Sequence, residues 1–235
     1  MYSFAHRVRY SECDESGQLG VGAVIDLFQD CAGMHSADVG LPHSFLHDRG
    51  QIWVLGSWQV EILRLPREDE MLTVATYPYD LRGFMGFRNF TLDTQSGERL
   101  VIANSDWALI DPVYGRPTRV TEDIPRLYES GERLEMDYKP RKIKLEGEFD
   151  ALPDEIPVRR HMLDMNGHVN NAQYVRIASD LLPEGFKFTS MRVDYKRPAL
   201  PGDTMTAKMQ RADNRVTIAL YNGGVHLVSL EFTCQ

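Results

Sequence analysis

Residues 158–183 read VRRHMLDMNGHVNNAQYVRIASDLLP, a dense polar turn followed by a helical pattern. Asn170 and Asn171 can each cap a helix, because a short side-chain oxygen accepts one of the free N–H groups of the first turn. Behind them Tyr174, Val175, Ile177, Ala178, Leu181 and Leu182 fall at helix-compatible spacing, and Pro183 ends the run.

The same order of residues occurs once before. Val158-Arg159, Asp164 and Gly167 repeat Val8-Arg9, Asp14 and Gly17 at an interval of 150. Ser190, Val193, Asp194 and Arg197 repeat Ser57, Val60, Glu61 and Arg64 at an interval of 133. A long, largely apolar helix is predicted after the first turn, starting near Val21, carrying Val24, Ile25, Leu27, Phe28, Cys31 and Ala32, and ending at Gly40 before Leu41-Pro42.

Strand signals follow each helix. Trp58, Val60 and Ile62 alternate with Gln59 and Glu61; Leu72, Val74 and Thr76 alternate with their neighbours; Phe87 to Leu92 and Val101 to Asp111 extend the series. Met191 to Lys196, Met205 to Met209, Val216 to Tyr221 and Val225 to Phe232 do the same in the second half. One helix followed by an antiparallel meander, twice, is an α+β chain. It is predicted to be a tandem, or double, hot-dog fold, each half a helix on a curved antiparallel sheet.

The expected divisions are 1–120 for the first repeat, 121–155 for a connection draped over the sheet, and 156–235 for the second repeat. The connection is rich in charge and holds Pro125, Gly131, Pro140, Gly147 and Pro153.

The chain's 235 residues suffice for two small domains, and 43% hydrophobic with 26% charged residues is a folding composition. The opening MYSFAHRVRY has no apolar signal region and no eighteen apolar residues run together, so neither secretion nor a membrane span is expected. Cys13, Cys31 and Cys234 are odd in number and lack C-x-x-C spacing, which fits the reducing cytoplasm and neither a disulfide framework nor a metal site. His35, His43 and His47 lack the acidic partners that a metal would want, and only His43 with His47 stand at i, i+4. Net charge −8 shows no footprint of a general nucleic-acid binder in the totals, which leaves room for a local basic patch. Lys139, Arg141, Lys142 and Lys144 with Arg159 and Arg160 form a local basic run, read either as solvated surface or as a docking patch.

The chemistry concentrates in Asp164-Met165-Asn166-Gly167-His168-Val169-Asn170-Asn171. A helix N-terminus offers free N–H groups and partial positive charge to an oxygen that becomes negative during attack on a carbonyl. His168 can serve as general base near neutral pH, Asp164 can accept a proton or orient water, and the Asn166 amide can donate to a substrate carbonyl. Simple capping is the plainer reading of any one of these residues. The first turn has Ser16 and Gln18 where the second has Asn166 and His168, so the first half is read as binding. Gly167 with Val24, Phe28 and Ala32, the last three spaced by four on one helix face, are the substrate-binding candidates. No G-x-S-x-G and no G-x-G-x-x-G is present.

With these residues in view, the chain resembles the acyl-acyl-carrier-protein thioesterases of plants and their bacterial relatives. The likeness rests on Asp164 to Tyr174, on Tyr10 with Asp14 and Gly17, on Gln51-Ile52-Trp53-Val54, on Gly83 to Arg88 and on Ser105-x-Trp107. The resemblance implies hydrolysis of a fatty acyl thioester by activated water at Asp164, Asn166 and His168. It also implies acylated acyl carrier protein as partner, no cofactor, no nucleic acid and no membrane, and it allows a homodimer. One feature departs: the plant enzymes carry Glu-Cys where Pro198-Ala199 stands here, so a cysteine nucleophile at that point is impossible and the assisting glutamate is missing, its part falling either to Asp164 or to another carboxylate. An acyl-CoA thioesterase of the same superfamily and a non-catalytic acyl-thioester binder are the competing readings.

Overall fold

The computed structural model describes residues 1–234. It divides into two compact units, unit 1 comprising Met1–Gly56 with Val60–Tyr138, and unit 2 comprising Ser57–Gln59 with the chain from Lys139 onward.

The elements of the first part of the chain are β1 (Tyr2–Arg7), α1 (Val21–Asp38), α2 (His43–Asp48), β2 (Ile52–Ile62), β3 (Met71–Arg82), β4 (Met85–Thr94), β5 (Arg99–Asp111), the two-residue β6 (Arg116–Pro117) and α3 (Asp123–Leu127). Then come β7 (Asp150–Pro157), α4 (Asn171–Asp180), β8 (Ser190–Tyr195), β9 (Thr204–Ala212), β10 (Arg215–Asn222) and β11 (Val225–Thr233). The connecting stretch 121–155 thus contains α3 and the start of β7.

In unit 1 the strands run in the order β1-β3-β4-β5-β2, and in unit 2 in the order β7-β9-β10-β11-β8. The orders are the same under the repeat. A plain meander is therefore only part of the arrangement. The strand that follows each helix pairs with the last strand of its half, not with the next one, and a strand ahead of each helix supplies the opposite edge. Backbone bonds repeat as well: Val8 N–H donates to Glu70 O as Val158 N–H does to Asp203 O, and Leu19 N–H to Pro66 O as Val169 N–H does to Ala199 O.

α1 is long because its inner face is apolar, and it stops in a Schellman turn. Gly40 takes φ +83° and donates to Ala37 O, while Leu41 N–H returns to Ser36 O at 2.8 Å. Val24, Ile25 and Phe28 are fully buried, with the Phe28 ring 5.1 Å from that of Phe90 on β4. Burial of each such side chain stabilises by about 1.5–3 kcal/mol. In unit 2, Tyr174, Val175 and Ala178 of α4 make the equivalent core.

The outer faces of the strands are covered too, so alternation overstates their exposure. In unit 1, fully buried Asn89 accepts at Oδ1 from Leu134 N–H and Tyr138 O–H, both at 3.1 Å. Gly131 is required nearby, since a Cβ there would lie 2.2 Å from the Tyr77 ring. In unit 2, Lys139 N–H donates to Gln59 Oε1 at 2.9 Å and Ile143 N–H to Asp194 Oδ2 at 3.1 Å. Arg192 donates to Pro140 O, and Gln210 Nε2 donates to Glu146 O and Glu148 O. The connecting chain lies across these faces, which buries Gln59 where alternation predicts an open position.

Candidate active site

The octapeptide closes on itself between Met162 and α4. Asp164 Oδ1 accepts from the backbone N–H of Asn166 at 2.8 Å and of His168 at 3.1 Å, while Asp164 N–H donates to His168 O at 2.8 Å. Gly167 donates to Asp164 O from φ +75°, a conformation that strains any residue with a Cβ. Asn170 is the cap: its side chain accepts from Ala172 N–H at 2.8 Å.

This bonding fixes the backbone and leaves the reactive side chains uncommitted. Among the described residues the Asn166 amide, the His168 ring and the second oxygen of Asp164 have no hydrogen-bond partner. Asn166 is exposed and His168 half-buried. A carboxylate, an amide and an imidazole thus project from one rigid turn at the start of α4, where the helix dipole favours developing negative charge.

Two tyrosines support the turn and were given no role by the sequence. Tyr174 O–H accepts from Ala199 N–H at 2.7 Å, and Tyr195 O–H donates to Asn171 O at 3.0 Å, with the rings 6.0 Å apart. Burial, with the Asp203 and Asp164 charges adding to it, pushes the Tyr174 phenol up to about 12 against the lowering effect of the Ala199 N–H, so it stays protonated at neutral pH. A tyrosine on the buried face of a helix needs a partner for its hydroxyl, and that was the available signal. Ala199 is fully buried and serves the loop only through its backbone. No side-chain nucleophile exists at Pro198-Ala199.

Of the other candidates, Val24 and Phe28 are fully buried and Ala32 nearly so in the core of unit 1. The exposed His43 and His47 stack at 6.3 Å. Cys31 is buried against Val74 O, and burial pushes its thiol up to about 12. Arg159 and Arg160 are exposed at the entrance to the octapeptide turn, as are Lys139, Arg141 and Lys142 on the connecting chain. None of the described helices is long and apolar enough to cross a membrane.

Comparison with known proteins adds to this geometry. Residues 1–128 match the model of the acyl-ACP thioesterase N-terminal domain, and residues 148–224 that of the C-terminal domain. A chloroplastic acyl-[acyl-carrier-protein] hydrolase of Cuphea viscosissima is 23% identical over 206 residues, covering 81% of this chain and 50% of that protein. The chloroplastic oleoyl-acyl carrier protein thioesterase of Coriandrum sativum is 24% identical over 230 residues, covering 87% and 62%. The chain therefore spans about half to two thirds of the length of these relatives. Among solved structures, an acyl-ACP thioesterase from Bacteroides thetaiotaomicron superposes with TM-score 0.89 at 21% identity, covering 98% of this chain and 96% of that one. The 12:0-ACP thioesterase from Umbellularia californica superposes with TM-score 0.84 at 17% identity, covering 99% and 96%. The fold is the double hot-dog of these proteins.

Proposed function

Since the chain belongs to the acyl-ACP thioesterase family, we propose that it hydrolyses fatty acyl thioesters of acyl carrier protein, releasing the free fatty acid. The observation that carries this reading is the turn at Asp164, whose carboxylate ties down the backbone while Asn166 and His168 keep their side chains free.

In the proposed reaction His168 takes a proton from water, and the resulting oxygen attacks the thioester carbon. The carbonyl electrons move onto oxygen, where the Asn166 amide and the N-terminal field of α4 stabilise the charge. Collapse of this tetrahedral species breaks the C–S bond, and the departing thiolate recovers the proton from His168. Asp164 holds both partners in register and presents its second oxygen to the attacking water. No cysteine is needed. Within unit 2, Gly167 lets the thioester approach the turn, and Arg159, Arg160, Lys139, Arg141 and Lys142 meet the acidic carrier; within unit 1, the face of α1 bearing Val24, Phe28 and Ala32 is the candidate for holding an acyl chain. Three free cysteines, none of them in a disulfide, support work in the reducing cytoplasm.

The test is release of free fatty acid by the purified chain from one acyl group presented on acyl carrier protein and on coenzyme A. Faster turnover on the protein carrier is expected. Hydrolysis of the coenzyme A ester alone would move the assignment to the other carrier, and no release from either would defeat it.

A further inference from the structure

At the C-terminal end of α1 the core of unit 1 turns from apolar to polar within one helical turn. His35 is 6% exposed, and Arg88 of β4, lying beneath it, is 7% exposed. Arg88 donates from Nη1 to Thr76 Oγ1 at 3.2 Å and from Nη2 to His35 Nδ1 at 3.0 Å. The Tyr128 ring lies 5.2 Å from the guanidinium carbon, Tyr128 O–H meets Ser36 Oγ at 2.8 Å, and Tyr2 stacks on His35 at 5.2 Å. The Thr76 hydroxyl is already spent, donating to Asn89 O.

What Arg88 lacks is a paired anion: the Asp38 and Glu129 carboxylates act on His35, Glu129 being paired with the amino terminus, and neither acts on Arg88. Among the described residues no carboxylate forms an ion pair with Arg88, whose neighbours are a threonine, an imidazole, the ring and hydroxyl of Tyr128 and the Cys31 thiol. His35 brings no negative charge, because a ring nitrogen that accepts from a guanidinium belongs to the neutral imidazole. Buried cations are ordinarily paired, since removing an unpaired charge from water is costly. Thr76, His35 and the Tyr128 hydroxyl engage three of the five guanidinium N–H groups, leaving donors for a carboxylate.

We propose that Arg88, framed by His35, Thr76 and Tyr128, is a receptor for the carboxylate of a ligand. Two sources share that chemistry. One is a free carboxylic acid, and the other is a carboxyl group at the far end of an acyl chain. The second source rests on the acyl-binding reading given above, because His35 continues the helix face of Val24, Phe28 and Ala32 by one turn; the first does not depend on it.

Titration calorimetry with acetate and with octanoate, at constant ionic strength and with chloride as control, tests the free acid. Binding to the wild type should weaken roughly ten- to a hundredfold in Arg88→Met, the range for loss of a charge-assisted bond. The same variant should melt no lower than the wild type, since it removes an uncompensated buried charge and keeps the volume. The acyl source is read from the ratio of kcat/KM for a thioester ending in carboxylate to that for one of equal length ending in methyl. Arg88→Met should lower this ratio at least tenfold if the carboxylate arrives on the acyl chain. Arg88→Lys, which keeps the charge and loses the planar fork, reads the same two arms should the methionine variant not fold. Carboxylate binding and a substrate ratio both unchanged in folded variants would overturn the proposal. So would a lower melting temperature in Arg88→Met with neither arm affected, which marks a purely structural cation.

Discussion

Asp14 and Asp164, 150 positions apart in the chain, make the same backbone hydrogen bonds. Asp14 Oδ1 accepts from Ser16 N–H at 2.9 Å and Gln18 N–H at 3.1 Å, and Asp164 Oδ1 accepts from Asn166 N–H and His168 N–H at 2.8 and 3.1 Å. Gly17 and Gly167 adopt φ of +74° and +75°, and each donates to its aspartate's carbonyl. One carboxylate holds each turn, whatever side chains the turn presents. Between the aspartate and the fifth residue of each turn three positions differ, Glu15 against Met165, Ser16 against Asn166 and Gln18 against His168, and the last two give the second turn its amide and its imidazole.

Asp14→Ala should therefore act on stability alone. Losing the acceptor of an exposed turn costs about 1 kcal/mol, or about 2–4 °C in melting temperature for a chain of this size. Asp164→Ala should melt similarly and also lose turnover, because its backbone displacement carries Asn166 and His168 with it. Paired melts and rate measurements check this, and a large rate loss in Asp14→Ala would bring the first turn into the chemistry.

His168→Ala should reduce turnover on the order of a hundredfold or more at unchanged melting temperature, since the ring supports no hydrogen bond in the fold. Asn166→Ala, removing one donor to the developing oxyanion, should cost a comparable factor. A folded His168→Ala protein with full activity would remove the imidazole from the mechanism.

The repeat, α1, α4 and eight of the strands were legible because they depend on local signals: turn residues, caps and alternation; the short α2, α3 and β6 were not read. β1 and β7 were not, since they lie ahead of each Val-Arg marker and β7 is a largely exposed edge strand with prolines. The pairing of β2 with β5 and of β8 with β11 closes long loops, and no local pattern encodes it. Asn89, Gln59 and Asp194 sit at positions that alternation assigns to solvent, and only the overlying connection buries them. In the site, the octapeptide was legible as a unit; the Tyr174 bond to Ala199 N–H, spanning 25 positions, was not.

Stability should fall on acidification through the His35 window. Burial, with Arg88 and the amino terminus adding to it, pushes the His35 imidazole down to about 4 in the fold, against about 6.5 in the unfolded chain. Between these values the unfolded state binds more protons, so stability is complete above pH 6.5 and is lost progressively as pH falls toward 4. Denaturant titrations across this range should show a shallower slope in His35→Gln than in the wild type. Equal slopes would assign the acid sensitivity to other groups.

Charge reversal at Arg159 and Arg160, both exposed, should raise KM for acyl carrier protein substrates. The effect should grow at low salt, because exposed charges steer an acidic partner and are screened over a Debye length of roughly 10 Å at 0.1 M. Small acyl thioesters, which lack the acidic surface, should be hydrolysed nearly as before. An equal rise in KM for both substrate types would mean that the arginines hold up the neighbouring turn instead.

Phe28 is where core packing and acyl recognition can be told apart. Its ring is fully buried and packed 5.1 Å from Phe90, so by packing alone Phe28→Ala should cost about 3–5 kcal/mol, the usual range for emptying a phenylalanine site. A methylene of acyl chain buried in the same space returns about 0.8 kcal/mol, so a slot along α1 deepened at this point should favour longer chains. Ala32 lies one turn further on, nearly buried, and Ala32→Phe should block the same path and favour shorter chains. Opposite shifts in a chain-length series from these two variants are the expected result. The measurement pairs that series with thermal melts, because a pure core would lose stability in both variants while the order of preferred chain lengths stayed as in the wild type.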